Sequence, residues 1–264
     1  MDEIQIIFIL VYLLTILLSA TKIVPMSVGA MIGALLTAWF GLLYGVFGYD
    51  QAMGFIDIRL IFLLLGVMIV VEVAERSGLF RFGALYAVKL SGGNPSLLFI
   101  SICLISAAVS VFLSDPTAML LIAAAMATIT KLLRYDPVPY FISAIIMINL
   151  GGTSTLIGSV SNMIIGFQAG LSFNAFIGYL VICELALWGI TIFALYMLFR
   201  SRLGEKKELP EYNPWESVDN KKLFYRSITI LVLLVGLFLT LENLGVGAEA
   251  VALGCAVLAS SKWF

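Results

Sequence analysis

Broken at its charges and turn residues, the chain falls into nine apolar runs at about 4–20, 26–48, 58–75, 96–113, 117–133, 138–168, 175–199, 223–241 and 246–261. A helix needs ~20 apolar residues to cross ~30 Å of hydrocarbon, and most of these runs reach or approach that length. They are apolar on every side, whereas the strands of a membrane barrel alternate polar with apolar, so the pattern predicts helices. The first run has no cleavage-site pattern and continues into further runs, which predicts a retained helix and not a signal peptide.

Composition agrees. Of 264 residues, 62% are hydrophobic and only 12% charged, about half the charge of an average soluble domain. So few charges cannot cover a water-facing surface around that much apolar material, and the first partner is the lipid bilayer. The net charge of -1 argues against a nucleic-acid partner, which would show as a basic excess. The absence of His excludes His-ligated zinc, a Ser-His-Asp triad and a His proton relay. With no nucleophile–base pair apparent, an enzyme is not expected. Cys103, Cys183 and Cys255 are widely spaced inside apolar runs, which suggests packing residues and neither disulfides nor a CxxC metal site.

Basic residues orient the spans. Seven of the 15 Lys and Arg fall between 200 and 226: Arg200, Arg202, Lys206, Lys207, Lys221, Lys222 and Arg226. This loop, which also holds Pro210 and Pro214, is expected in the cytoplasm. Lys22, the group Arg76, Arg81 and Lys89, and the pair Lys131 and Arg134 mark further cytoplasmic stations.

Between the runs 96–113 and 117–133 stand only Ser114, Asp115 and Pro116, and basic residues flank both outer ends of the pair. Two full crossings would need a longer loop. An Asp-Pro step stops one helix and starts another: Pro116 disfavours helix at Asp115 and suits the first turn of a new helix that Asp115 would N-cap. The expectation is a re-entrant hairpin that enters from the cytoplasm, turns at Ser114 to Thr117 inside the membrane, and returns. The alternative is a pair of short tilted helices around a tight turn, which would put Lys131 and Arg134 on the outer face. With the hairpin, the chain starts outside, reaches Arg200 inside, and crosses five times, so a second copy starting at 223 would run with opposite polarity.

From 137 to 183 there are 47 residues without a charge. In their middle stands Asn149 to Asn162, NLGGTSTLIGSVSN, whose glycines and hydroxyls favour unwinding. Unpaired backbone at that depth is tolerated only against protein or a water-filled cavity. A broken helix offers carbonyls to a cation at one half-helix end and N–H groups to an anion at the other. Close packing of small residues is the plainer alternative, but it does not account for an Asn at both edges. The candidate binding residues are therefore Asn149, Gly151, Gly152, Thr153, Ser154, Thr155, Gly158, Ser159, Ser161 and Asn162, with Ser110, Ser114, Asp115 and Thr117 at the hairpin tip. A carboxylate near the bilayer centre costs at least ~2.5 kcal/mol and normally marks a transport path, which singles out Asp115. A capping role for Asp115 could coexist with that one. Glu72 is one turn from Arg76 and is expected to pair with it. Glu242 and Glu249 lie beside spans, and Glu184, with no partner apparent in the sequence, is a secondary candidate.

The stretch from Arg59 to Gly166 resembles the ion transporter superfamily, in particular the group of arsenite permeases, NhaD-type sodium/proton antiporters and citrate-transporter-like proteins. The resemblance is carried by SVFLSDPTA at 110–118, DPVP at 136–139 and NLGGTSTLIGSVSN at 149–162. It implies a secondary transporter, usually a homodimer working by an elevator-like motion, whose substrate and coupling ion bind between hairpin tip and broken helix. A sodium site would fall at Ser114, Asp115, Gly151 and Gly152, and no cofactor beyond a sodium ion or proton is implied. This chain departs from the antiporter-like relatives. Ser114-Asp115 stands where they carry an Asp-Asn pair, and Ala144 and Ser159 stand where they carry acids. The missing acids lean toward an anion substrate, since hydroxyls and helix N-termini suffice for one.

The fold expected is an all-α polytopic membrane protein, half of an inverted-repeat transporter with a cytoplasmic re-entrant hairpin and a broken transmembrane helix. Residues 1–199 would form the first repeat, with the hairpin at 96–133 and the broken helix at 138–168. Residues 200–222 would form the cytoplasmic linker, and 223–264 the start of a second repeat whose remainder this chain lacks. The protein would be multi-pass in the plasma or inner membrane, with its N-terminus outside. The function expected is ion-coupled transport of a small anion, an inorganic oxyanion or carboxylate. The alternatives are a sodium/proton antiporter and a non-transporting or channel-like subunit.

Overall fold

A computed structural model describes residues 3–21, 23–207, 213–241 and 244–261. Lys22, Pro210, Glu242 and the end 262–264 lie outside the described residues. The helices are α1 (Glu3–Ala20), α2 (Met26–Leu43), α3 (Tyr49–Gly54), α4 (Ile58–Arg76), α5 (Leu79–Leu90), α6 (Pro95–Ser110), α7 (Asp115–Leu133), α8 (Pro137–Thr153), α9 (Val160–Gln168), α10 (Phe173–Phe199), α11 (Lys221–Leu241) and α12 (Ala248–Ser260). Short 3₁₀ turns stand at Arg200–Arg202 and Pro214–Ser217, and no strand occurs among the described residues. The protein is thus an all-α polytopic membrane protein. Five stretches are long and apolar enough to cross a bilayer: Glu3–Ala20, Met26–Leu43, Tyr49–Arg76, Phe173–Arg202 and Lys221–Leu241. α6, α8 and α12 are apolar but shorter.

The chain divides into two compact units, 1–58 and 59–264. In the first, α1 and α2 approach closely because glycines leave room. A side chain at Gly33 would run into Thr15, and one at Gly29 would lie 3.1 Å from the Ser19 hydroxyl.

In the second unit the core is built around α6 and α8. Asn94 caps α6 by accepting from the Ser96 and Leu97 N–H groups, and Asp136 caps α8 by accepting from Val138; each cap is followed by a proline. Nine of the sixteen residues of α6 are buried, among them Ser106, Ala107 and Ser110. Gly151 of α8 lies so close to Ala107 that a Cβ there would collide with the Ala107 carbonyl. On the far side, Gly66 of α4 packs against the Ala252 backbone of α12, where a Cβ would come within 2.6 Å.

The ends of α6, α7 and α8 meet at one place. The Tyr135 hydroxyl lies 3.0 Å from the Gly93 carbonyl and 2.9 Å from that of Glu205. Lys207 donates its N–H to Gly93 O and its ammonium to the carbonyls of Leu133 and Arg134. Arg202 bridges to Asp136 at 2.6 Å. α6 therefore starts where α7 ends, and the two form a hairpin whose open end also carries the C-terminal end of α10.

Two helical features lay beyond the sequence reading. The station between Arg76 and Lys89 is helical, α5, and the Trp215 ring docks on it 4.6 Å from that of Phe82. Asp115 does not N-cap α7. Ser114 is the cap residue and Asp115 the first helical residue, because the turn begins one residue earlier than the Asp-Pro step implies. Cys103 and Cys255 are buried as packing residues, but Cys183 is exposed on α10, and all three thiols are free. Glu72 and Arg76 pair as expected, at 2.6 Å.

Candidate functional site

The level of the hairpin tip follows from helix lengths. At 1.5 Å per residue, Thr153 stands about 24 Å along α8 from its start at the open end. Its hydroxyl meets the Glu184 carboxylate at 3.1 Å. Glu184 is fifteen residues from the Phe199 end of α10 and eleven from the Phe173 end. The break after α8 thus lies partway along a helix about 40 Å long.

Asp115 reaches the same level. Its Oδ1 accepts from the Ser110 hydroxyl at 3.1 Å, and a Cβ added at Gly152 would come within 2.6 Å of it. Any larger residue there would have to displace the Asp115 carboxylate. Gly158 on the far side of the break is held more strictly, since a Cβ would lie 2.7 Å from the backbone Gly152 O and 3.2 Å from Ser110 O. Four helix ends converge in this way: the C-terminal ends of α6 and α8, with their negative dipole ends, and the N-termini of α7 and α9, with their positive ones. Asp115 sits in the first turn of α7.

The broken segment is tied by side chains. Asn162 Nδ2 lies 3.1, 3.2 and 2.9 Å from the carbonyls of Gly152, Thr153 and Thr155, which share its two protons. The Thr155 hydroxyl donates to Val111 O at 3.0 Å and accepts from the Gly158 N–H. Ser159 caps α9 by accepting from the Asn162 N–H at 3.2 Å. Ser154 Oγ donates to Leu150 O. Carbonyls that the sequence offers to an ion thus already share the Asn162 amide, and Thr155 O accepts from the Gly158 N–H as well.

Of the residues singled out from the sequence, the structure brings together Ser110, Asp115, Gly152, Thr155, Gly158 and Asn162. Gly151 serves the α6 contact, and its carbonyl accepts from Ser154 N. Ser114 and Thr117 face each other, hydroxyl to hydroxyl, at 3.0 Å. Asn149 is exposed and donates to Ile145 O of its own helix. Ser161 is exposed, and Thr153 turns toward α10. Asp115 and Gly152 are therefore the two of the four expected sodium-site residues in mutual contact. A sodium ion would find oxygens of suitable hardness in the Asp115 carboxylate, the Ser110 hydroxyl and the Gly152 carbonyl. Among the described residues no cluster of three or more His, Cys, Asp or Glu could hold a metal ion.

The sequence model of the citrate transporter family, CitMHS, matches residues 11–263. The chain belongs to the citrate transporter family. That family is part of the ion transporter superfamily, and with the long apolar helices it makes the chain an integral membrane protein. Its relatives include an uncharacterized transporter of Mycobacterium tuberculosis, 30% identical over 248 residues, 91% of this chain and 56% of the relative. The 46 kDa membrane protein of Mycobacterium leprae is 29% identical over 261 residues, 96% of this chain and 60% of its own length. The magnetosome protein MamN of Magnetospirillum gryphiswaldense is 27% identical over 217 residues, 78% and 49% respectively. The chain spans about half to three-fifths of the length of these relatives.

Two candidates named from the sequence take roles in the structure that the sequence did not assign to them. Asn162, a candidate ligand in the sequence, instead ties the carbonyls of Gly152, Thr153 and Thr155 together. Glu184 gains a partner, Thr153, that lies 31 residues away, a separation no local pattern encodes.

Proposed function

We propose that this chain supplies one half of the transport site of an ion-coupled secondary transporter, with a small anion, an inorganic oxyanion or carboxylate, as substrate. The observation that carries the reading is the convergence of four helix ends at Asp115 and Gly152. Anionic groups suit the N-termini of α7 and α9, and a sodium ion or proton suits the Asp115 carboxylate beside the α8 carbonyls. In this reading the open end of the hairpin, with Lys131, Arg134, Arg202 and Lys207, faces the cytoplasm, as the positive-inside bias requires. The hairpin α6–α7 is then re-entrant and the N-terminus external. Residues 1–199 act as one repeat, 200–222 as the linker and 223–264 as the start of the second. The protein works as a homodimer whose repeats move between the two faces of the membrane.

Sodium/proton exchange is the second reading, and the observation favouring it is that Asp115 touches the break directly, as a cation site would require. Reconstituted full-length protein separates the two. Uptake of an oxyanion or carboxylate driven by a sodium or pH gradient supports the first reading, whereas sodium-dependent alkalinisation or acidification of the lumen with no such uptake supports the second. Asp115→Asn is expected to abolish the cation dependence. Transport by this variant with unchanged pH and sodium dependence would remove Asp115 from the mechanism.

A further inference from the structure

α10 has twenty-seven residues, of which Glu184 is the only charged one. It is also one of five that are buried, being only 8% exposed. Its partner, the Thr153 hydroxyl, lies 3.1 Å from Glu184 Oε1 and 2.8 Å from the Leu150 carbonyl. A hydroxyl has one proton for these two acceptors. When Thr153 donates to Leu150, the Glu184 oxygen facing it must itself bring a proton. When Glu184 is ionised it accepts the Thr153 hydrogen bond, and Leu150 O is left with the Ser154 hydroxyl, because the Ser154 N–H turns to Gly151. Glu184 Oε2 is buried with no hydrogen-bond partner among the described residues, and so is Trp188 Nε1, one turn further along the same face.

From this geometry we infer that Glu184 is a proton-binding site, and that its protonation state sets the hydrogen bonding of the last turn of α8 through Thr153. Thr153 directly follows Gly152, the residue in contact with Asp115, so a proton on α10 and an ion at the hairpin tip act on the same broken helix from opposite sides. As a coupling device the inference rests on the transport reading. The proton site itself does not.

The charged groups around Glu184 are engaged elsewhere or exposed. The elements packed against α10 are α6, α8, α11 and the turn at Arg200–Arg202. Their titratable groups are Cys103 on α6, Tyr140 on α8, Lys221, Lys222, Tyr225 and Arg226 on α11, and Arg200 and Arg202. Tyr140 stacks on Tyr135 at the open end, Arg202 pairs with Asp136, Lys221 lies over Trp215, and the Arg226 guanidinium bonds to α12 carbonyls. Cys103 is buried, while Arg200, Lys222 and Tyr225 are exposed. On α10 itself, Tyr179 and Cys183 are exposed and the Tyr196 hydroxyl meets Ser96. None forms an ion pair with Glu184 among the described residues.

The test is infrared titration of the full-length protein in lipid, read at the carboxylic acid C=O stretch, together with transport. A protonated carboxyl band is expected that vanishes as the pH is raised and is absent in Glu184→Gln. Thr153→Val should shift that band and its titration midpoint, and Thr153→Ser should restore both. In transport, Glu184→Gln is expected to flatten the pH profile. Wild type and Glu184→Gln having the same carboxyl bands at every pH would overturn the proton site, and an unshifted band in Thr153→Val would overturn the link to α8. Band present but no ion moved would leave the proton site standing and sink the transport reading; transport intact with no such band would do the reverse.

Discussion

α8 and α10 lie side by side in the same bilayer-bound unit and are nearly equal in apolar character, yet they are used in opposite ways. Eight of the seventeen residues of α8 are buried, including Ser143, Ala144, Gly151 and Gly152. α10 buries five of twenty-seven, and leaves Ile182, Phe193 and Leu198 more than 60% exposed. In lipid, large apolar side chains gain nothing from being inside, so apolarity does not mark the core. Small residues that let backbones approach mark it instead, and polar ones appear where the helix must be held or broken. The one exception on α10, the buried Glu184, stands against the break in α8.

The strongest way to break this contrast is a methyl group. Gly151→Ala drives a Cβ into the Ala107 carbonyl, and the cost is expected at or above the top of the ~1–3 kcal/mol range for overpacking. The measurement is the yield and thermal midpoint of folded protein in detergent. Gly189→Ala on α10 meets nothing within 4 Å and should leave both unchanged or slightly raised, as helix propensity favours Ala by about 1 kcal/mol. Equal effects of the two would sink the distinction.

Next in size is Asn162→Ala, which frees three carbonyls of the break at once and is expected to cost ~1–3 kcal/mol. Hydrogen exchange at residues 152–158 should rise while that of α10 stays as it was. Ser110→Ala removes a single bond to Asp115, for about 1 kcal/mol or less in stability. Its larger effect is expected on the sodium or pH dependence of transport.

The smallest effect lies at the open end. The Val138 N–H, and after it Arg202, holds the Asp136 carboxyl below its usual range. A lowered folded value means that the stabilisation is present above the unfolded value of ~3.9 and is lost as pH falls through the folded one. Wild type and Asp136→Asn are therefore expected to differ slightly in thermal midpoint near neutral pH and to converge below about pH 4. A gap that widens on acidification would contradict the assignment.

Much of this was legible locally. The apolar runs gave the helices to within a few residues, since the only requirement lipid sets is length and internal hydrogen bonding. The break between α8 and α9 was visible in the glycines and hydroxyls of 149–162, and the turn at 114–117 in an Asp-Pro step, because both disfavour helix through their own backbone chemistry. The one-residue shift that makes Ser114 the cap was not visible, because Asp and Ser are both good caps and the choice depends on what each side chain meets. Here Asp115 meets Ser110.

The sequence by itself determined where the chain can cross lipid and where its helices must stop, because those depend on neighbours within a turn or two. Only the tertiary structure decided which polar group answers which. The Asn162 amide closes on Gly152 ten residues away, Thr153 meets Glu184 across 31, and Lys207 joins the end of α7 to the start of α6. A hydrogen bond needs two groups within about 3 Å, and for residues far apart in the chain that proximity is set by helix packing, which hydropathy does not record.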